Sequence, residues 1–349
     1  MKDRLSFSAF ELERPDMPDA KEVVRSGYDY VSWGKDNRYP QDLYGLYENS
    51  AILQSVINGT ADYVFGGGVI SAFDVVNDKN ETLEDVVKKC VFDLLIFGGF
   101  AVQLMYKGGH AEAVYWLDFQ KVRKSEDEKK VYYCDEWGKY NKKCLEYKAW
   151  TPDTDKGTCI FYYKGHKTRG IYPVPMYVGA LKSVKISTEI SNFHLNNITK
   201  GFASNAIVSF NNGEPDEDTK GRIEKAFKEK FCGTDNAGSF LLLFNESKEN
   251  ACEIAKIQDD KFDLKYEALS KSVKEDIFIA FRATSELFGI SVEGNGFSKE
   301  EYLQAFALYN KTVVMPIQKD VERAFKSIGF VIKFKGFKLE ESDENKTIE

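Results

Sequence analysis

The sequence has 349 residues, with 48 Lys or Arg against 55 Asp or Glu and a formal net charge of -7. That balance excludes a protein that grips nucleic acid by neutralising phosphates. A hydrophobic fraction of 43% excludes wholesale disorder, and the length allows two or three compact domains or one subunit with several lobes.

Residues 1–40 read as an extended arm interrupted by Pro15 and Pro18, and Trp33 to Pro40 as a turn-rich link. A helix follows with Leu43, Leu46, Leu53, Val56, Ile57 and Val64 on one side, stopped at Phe65-Gly66-Gly67-Gly68. The spacing of Thr82 and Asp85 predicts a capping box opening a second helix, which ends at Gly98-Gly99. From there to about residue 172 the pattern is that of short strands. Ala101 to Tyr106 and Ala113 to Phe119 flank Gly108-Gly109 as a hairpin, followed by Val131 to Cys134, Cys144 to Trp150 and Thr158 to Tyr163. Lys121 to Lys130 reads as a solvated charge run.

Pro173 and Pro175 open a long helix running to about Gly201. At about 1.5 Å per residue its roughly 27 residues would reach about 40 Å. Asn192, His194, Asn196, Asn197 and Thr199 crowd its C-terminal half, so its own domain does not simply enclose it. A small α/β module follows: strand Ala206 to Phe210, helix Asp218 to Phe231, strand Ser239 to Phe244. A further helix covers Leu264 to Phe288, and Ser298 with Glu301 caps the last long one, running from Lys299 to about Lys326. Pro316 lies inside it, where it removes a backbone donor and clashes with the carbonyl of Thr312, so a kink is expected there. A strand, Phe330 to Phe334, and an acidic tail close the chain.

Signals for chemistry are absent. The glycine clusters at 66–68 and 98–99 follow helices and lack a Lys-Ser or Lys-Thr, so they stop helices rather than cradle phosphate. No G-x-S-x-G elbow occurs, and His194 sits among asparagines rather than in a triad. Adjacent acids such as Asp259/Asp260 and Glu300/Glu301 point in different directions on a helix and do not converge on an ion. Asp216-Glu217-Asp218 sits at a helix start, where the macrodipole favours it. The six cysteines (Cys90, Cys134, Cys144, Cys159, Cys232, Cys252) contain no C-x-x-C pair, and the three histidines are scattered. The expectation is therefore no catalytic residue, no metal and no cofactor, with thiols kept reduced. The charged start Met1-Lys2-Asp3-Arg4 lacks an apolar signal core and no long apolar window occurs, so neither export nor membrane contact is expected.

The order of elements resembles the portal proteins of tailed bacteriophages in the HK97-like group. Four segments carry the likeness: the long helix running into Phe202-Ala203-Ser204-Asn205-Ala206, and the module at 206–257 with Asn236-Ala237-Gly238 before Phe240-Leu241-Leu242-Leu243. The others are the step Leu287-Phe288-Gly289-Ile290 and the proline of Met315-Pro316-Ile317 in the last long helix. Upstream, Asn37, Tyr39-Pro40, Ser50-Ala51, Asn58-Gly59 and Phe65-Gly66-Gly67-Gly68 are similar to portals of phages from Bacteroides-like hosts. Where that family often places a proline after its Phe-Gly-Val step, Ser291 follows Ile290 here.

The resemblance implies an α+β fold: an elongated subunit with a mixed α/β wing, a two-helix stem, a small α/β clip and a long kinked C-terminal helix. Its parts would be an arm at 1–40, the wing at 41–173, stem helices at 174–203 and 262–283, and the clip at 206–257. A tunnel loop with the kinked wing helix would occupy 284–330, and a short strand with the acidic tail 331–349. It implies a ring, usually of twelve copies, at one capsid vertex of the virion, assembled in the host cytoplasm. Double-stranded DNA would pass through it without sequence-specific contact. Expected partners are the terminase large subunit, a head-tail adaptor and the major capsid or scaffolding protein. Glu293, Gly294, Asn295, Gly296 and Lys299 would face the DNA channel, Pro316 would kink the helix, and Asp216, Glu217, Arg222 and Lys225 would form the clip docking surface. Two other readings fit the residues: a cytoplasmic α/β enzyme with an acidic site, and a ring-forming phage adaptor that passes no DNA.

Overall fold

The computed structural model describes residues 6–8, 17–24, 29–137, 144–165, 168–199, 205–210, 216, 218–219, 221–223, 225, 240–244, 254–257, 262–288 and 299–337. The fold is α+β, and the chain divides into two compact units. One holds Met1–Met17 with Lys182–Glu275, the other Pro18–Leu181 with Asp276–Glu349.

The larger unit begins with a hairpin of β2 (Glu22–Val24) and β3 (Val31–Trp33), inside what the sequence presents as a featureless arm. Trp33 is buried there, stacked on Tyr172 with ring centroids 4.5 Å apart. The single helix expected next is two: α1 (Tyr39–Asn49) and α2 (Ala51–Phe65). Ser50 separates them in an extended conformation, and its hydroxyl accepts the Leu53 N–H at 3.3 Å. A serine is as good an N-cap as it is a poor helix interior, so the apolar period runs on while the backbone breaks. The other expected cap is present as read. In α3 (Leu83–Phe97), Thr82 and Asp85 each accept the other's backbone N–H, and Gly98 ends the helix in the left-handed region at φ 84°.

Behind α3 lies a six-stranded sheet of β5 (Gly99–Lys107), β6 (His110–Leu117), β7 (Val122–Lys124), β8 (Lys130–Tyr133), β9 (Leu145–Ala149) and β10 (Gly157–Lys164). Its order is β6-β5-β10-β9-β8-β7, antiparallel except where β10 meets β9. The β5–β6 turn is the expected Gly108-Gly109, both with positive φ (61° and 81°) as a tight two-residue hairpin requires. Val86, Val87, Val91 and Leu95 of α3 and Phe100, Val102 and Leu104 of β5 belong to the core.

The charge run Lys121 to Lys130 is not the solvated loop its composition suggests. Val122, Arg123 and Lys124 form strand β7, all buried. The charges are tolerated because they have partners: Arg123 donates to carbonyl and amide oxygens, and Lys124 pairs with Glu128.

The C-terminal part of this unit contains α6 (Lys299–Tyr309) and α7 (Met315–Ser327), joined by a π-helical turn at Asn310–Val314. The expected clash of Pro316 with Thr312 is avoided by this widened turn, in which Met315 N–H donates to the Asn310 carbonyl five residues back. Pro316 thereby occupies the first turn of α7, where a missing N–H costs nothing. Strand β14 (Ile332–Phe334) then pairs with β4 (Val69–Ser71).

The smaller unit carries a four-stranded sheet in the order β1-β12-β11-β13, from β1 (Ser6–Ser8), β11 (Asn205–Phe210), β12 (Phe240–Phe244) and β13 (Ile254–Ile257). β11 and β12 run parallel, as a strand–helix–strand module requires. β1 closes one edge antiparallel to β12, with Ser6 opposite Phe244. The helix expected from Pro173 is α4 (Leu181–Thr199), preceded by turns and a 3-10 segment at Val178–Ala180. The helix expected over Leu264 to Phe288 is α5 (Phe262–Phe281). It stops at Arg282, whose φ of 55° reverses the backbone, and a separate 3-10 turn covers Ser285–Phe288. In the smaller unit, Phe193 of α4 stacks on Tyr266 of α5 with centroids 5.0 Å apart and planes 6° from parallel.

One buried acid sets a pH dependence. Asp93 of α3 is 6% exposed and accepts the Trp116 indole N–H at 2.7 Å. Burial holds its carboxyl well above the usual range, against the lowering effect of that hydrogen bond. The folded state therefore keeps a proton that the unfolded state has lost, so stability falls as pH rises from the unfolded pKa through the folded one. Asp93→Asn keeps an acceptor for Trp116 without the charge. It should stabilise the protein at neutral pH and flatten that decline. Urea midpoints of both proteins from about pH 4 to about pH 8 check this; parallel pH profiles would rule it out.

Candidate functional site

The residues singled out by sequence fall in both units. In the larger unit, Gly289 to Ser298, with Glu293, Gly294, Asn295 and Gly296, lies outside the described residues. Its two flanks are described, and they are held by one helix. Tyr63 of α2 donates its hydroxyl proton to the Leu287 carbonyl at 2.5 Å. Its only proton being used there, Tyr63 accepts from the Tyr302 hydroxyl of α6, 3.0 Å away. One turn earlier in α2, Thr60 donates to the Val56 carbonyl at 2.6 Å and so accepts from Tyr309 at 2.7 Å. Burial first, then the Tyr302 contact, pushes the Tyr63 phenol up, which keeps it a donor throughout the ordinary pH range.

Apolar packing reinforces the same junction. The Phe288 ring lies against Gly59, where an added Cβ would stand 2.5 Å from a ring carbon. Phe288, Phe306 and Phe337 surround Tyr63, and Phe288 also meets Phe278 and Tyr309. Leu287 before the segment and Tyr302 after it are thus bound to one side chain, and both exits of the segment are fixed by α2.

Lys299 is the exposed first residue of α6, followed by Glu300 and Glu301 in the first turn, where the helix dipole favours carboxylates. Pro316 is also exposed, and two residues further along α7 Gln318 donates its amide to the Val64 carbonyl at 2.8 Å. Tyr63 and Thr60 were not singled out by sequence, and Gly59 entered only as part of the upstream resemblance. Their signal is a small-residue step, Asn58-Gly59-Thr60-Ala61, placing an aromatic opposite another element, which is indistinguishable from ordinary core until the partner is known.

In the smaller unit, Asp216, Arg222 and Lys225 are exposed, and Glu217 lies outside the described residues. The Asp216 carboxylate accepts the Thr219 N–H at 2.6 Å, the contact that holds its pKa below the usual carboxylate range. Residues 218, 219, 221–223 and 225 are helical, so Asp216 caps this helix as its position in the sequence suggests. Arg222 turns back along the same helix, to the Asp218 carbonyl at 3.4 Å and the Thr219 hydroxyl at 3.2 Å. The structure brings Asp216 and Arg222 onto adjoining turns, a mixed-charge surface rather than a pocket.

Among the described residues no group of three or more His, Cys, Asp or Glu side chains is arranged to hold a metal ion. No helix among them is long and apolar enough to cross a membrane.

No family model matches the sequence, and no curated protein sequence matches it. The fold does have solved counterparts. A chain in the neck of an empty gene transfer agent particle, computed with C6 symmetry, superposes with a TM-score of 0.55 at 12% identity, covering 91% of this chain and 86% of that one. A chain in the virion of the native gene transfer agent particle gives 0.54 at 13% identity, over 94% and 87%. One in the neck of the native particle, computed with C12 symmetry, gives 0.53 at 13%, over 90% and 86%. Nearly the whole chain, both units included, thus shares its fold with proteins found in the neck and virion of these particles.

Proposed function

We propose that this chain is a structural subunit of a phage-like head-tail neck and, more specifically, a portal protein: a ring at one capsid vertex through which double-stranded DNA is packaged and released. The observation that carries this reading is the likeness to neck chains over nine-tenths of the molecule, at an identity where only the backbone plan survives. The division of the chain supports it too: residues 182–275 form, with residues 1–17, a unit separate from the rest. In this reading α4 and α5 are the stem, the four-stranded sheet belongs to the clip, and the larger unit is the wing.

The mechanism is mechanical and needs no catalytic group. A net charge of -7 gives a duplex little to hold, so DNA slides instead of binding. The segment Gly289 to Ser298 is the channel loop, with Glu293, Asn295 and Lys299 nearest the duplex. The tie from Tyr63 to Leu287 and Tyr302 holds the chain on both sides of it against α2 of the wing. Asp216, Glu217, Arg222 and Lys225 form the clip surface that receives the terminase motor and later the head-tail adaptor. The energy of packaging comes from that motor.

Deleting residues 292–297 should leave ring assembly intact and reduce DNA packaging or retention in particles. A deletion variant that packages and retains DNA at the wild-type level would remove the channel-loop assignment.

A further inference from the structure

We infer that Cys134 and Cys144 are a dithiol pair poised to close to a disulfide when the chain meets a low-molecular-weight disulfide. The evidence is their place in the sheet. Strands β8 and β9 pair antiparallel, Lys130 opposite Lys148 through Tyr133 opposite Leu145. One step further along that register stands Cys134 opposite Cys144.

The hydrogen-bond phase of the ladder makes this the favourable kind of pair. Ala149 N–H donates to the Lys129 carbonyl at 2.8 Å, so 129 and 149 form a hydrogen-bonded pair. Alternation then makes 131/147 and 133/145 hydrogen-bonded, and 130/148, 132/146 and 134/144 non-hydrogen-bonded. Cys134 agrees independently: its N–H points away from β9 and donates to the Lys121 carbonyl at 3.0 Å. Non-hydrogen-bonded antiparallel pairs hold their Cα atoms about 4.5 Å apart, which a disulfide accepts without moving the backbone. The side chains converge as well, since Cys144 packs against the cluster of Tyr132, Cys134 and Trp137.

Exposure assigns the order of events. Cys134 is 1% exposed, whereas Cys144 is half-buried and the one a reagent reaches. The Cys144 thiolate attacks one sulfur of the small disulfide, forming a mixed disulfide and releasing one small thiolate. Cys134 gives up its proton and attacks the Cys144 sulfur, releasing the second thiolate. The chain loses two protons and two electrons, and the reagent is reduced to two thiols. The bond ties the two ends of the β8–β9 connection. Cys90 and Cys159, also buried, lie in α3 and β10, outside this register. The inference does not depend on the ring reading.

The test uses the full-length protein with an excess of oxidised over reduced glutathione, quenched by alkylation and mapped by peptide mass. The expected wild-type product is a cross-linked peptide containing residues 134 and 144, with unchanged circular dichroism. Cys134→Ser should stop at a glutathione adduct on Cys144. Cys144→Ser should leave Cys134 modified about tenfold more slowly than Cys144 is in Cys134→Ser. A folded wild-type chain that stops at the Cys144 adduct, or keeps both thiols alkylatable, would overturn the pairing. Equal rates of modification in the two variants would overturn the order.

Discussion

Arg123→Met should destabilise the larger unit by about 3–5 kcal/mol, one of the largest losses available to a single substitution here. Arg123 is fully buried, and its guanidinium is satisfied almost completely. Nε donates to Asn37 Oδ1 at 2.6 Å, Nη1 to the Gln120 and Val122 carbonyls at 2.9 and 2.7 Å, and Nη2 to the Asn37 carbonyl at 2.8 Å. Its plane lies over Trp137 at 4.9 Å and Trp33 at 5.8 Å. These hydrogen-bond acceptors are all neutral oxygens, so burial lowers the pKa to about 10 and the group still carries its charge at neutral pH. Methionine fills much of the volume and removes every donor, leaving several buried oxygens without one, at about 1–3 kcal/mol each before relaxation. Arg123→Lys keeps the charge but cannot fork between Asn37 and the two carbonyls, and should recover less than half of the loss. Urea unfolding followed by tryptophan fluorescence checks both, since Trp33 and Trp137 flank the group. A loss below about 1 kcal/mol for Arg123→Met would show that the carbonyls find other donors.

Gly98→Ala should cost about 3 kcal/mol or more, and the reason can be separated from glycine's conformational freedom alone. Gly98 ends α3 at φ 84°, and the Pro173-Val174-Pro175 segment passes directly over it. An added Cβ would stand 2.4 Å from the Val174 carbonyl oxygen and 2.6 Å from its carbon, which are backbone atoms that cannot rotate away. Gly109, at φ 81° in the β5–β6 turn, has nothing within 4 Å of the same position. Gly109→Ala therefore pays only for the left-handed backbone, about 1 kcal/mol. The two substitutions measured side by side by equilibrium denaturation should differ by about 2 kcal/mol or more. Equal losses would mean that the segment at 173–175 moves aside freely.

The same glycine illustrates what is legible in a sequence. Gly98, Thr82 with Asp85, and the Gly108-Gly109 turn are local signals whose partners lie within a few residues, and each reads correctly. The change from helical to strand patterning near residue 99 is legible for the same reason. What escapes depends on partners far along the chain or on residues with two uses. Ser50 sits in a continuous apolar period yet caps a helix. Arg282 ends α5 in a conformation that glycine usually supplies. Three residues at Ser6–Ser8 mean nothing until they meet Phe240–Phe244. Arg123 carries a charge that composition assigns to solvent, and Asn37, 86 residues away, supplies two of the acceptors that permit its burial. At the candidate site the helix start at Lys299 was legible, whereas the helix read as far as Phe288 stops at Phe281, and the attachment of both flanks to Tyr63 was not legible, because its hydrogen bond to Leu287 spans 224 residues.

In the portal reading, copies of this chain close into a ring around an open channel. Electron microscopy of the purified full-length protein at assembly concentrations tests it most directly. Closed rings are expected in face-on views, with a central opening wide enough for a DNA duplex. Compact single or paired particles without an opening, persisting as concentration rises, would contradict it.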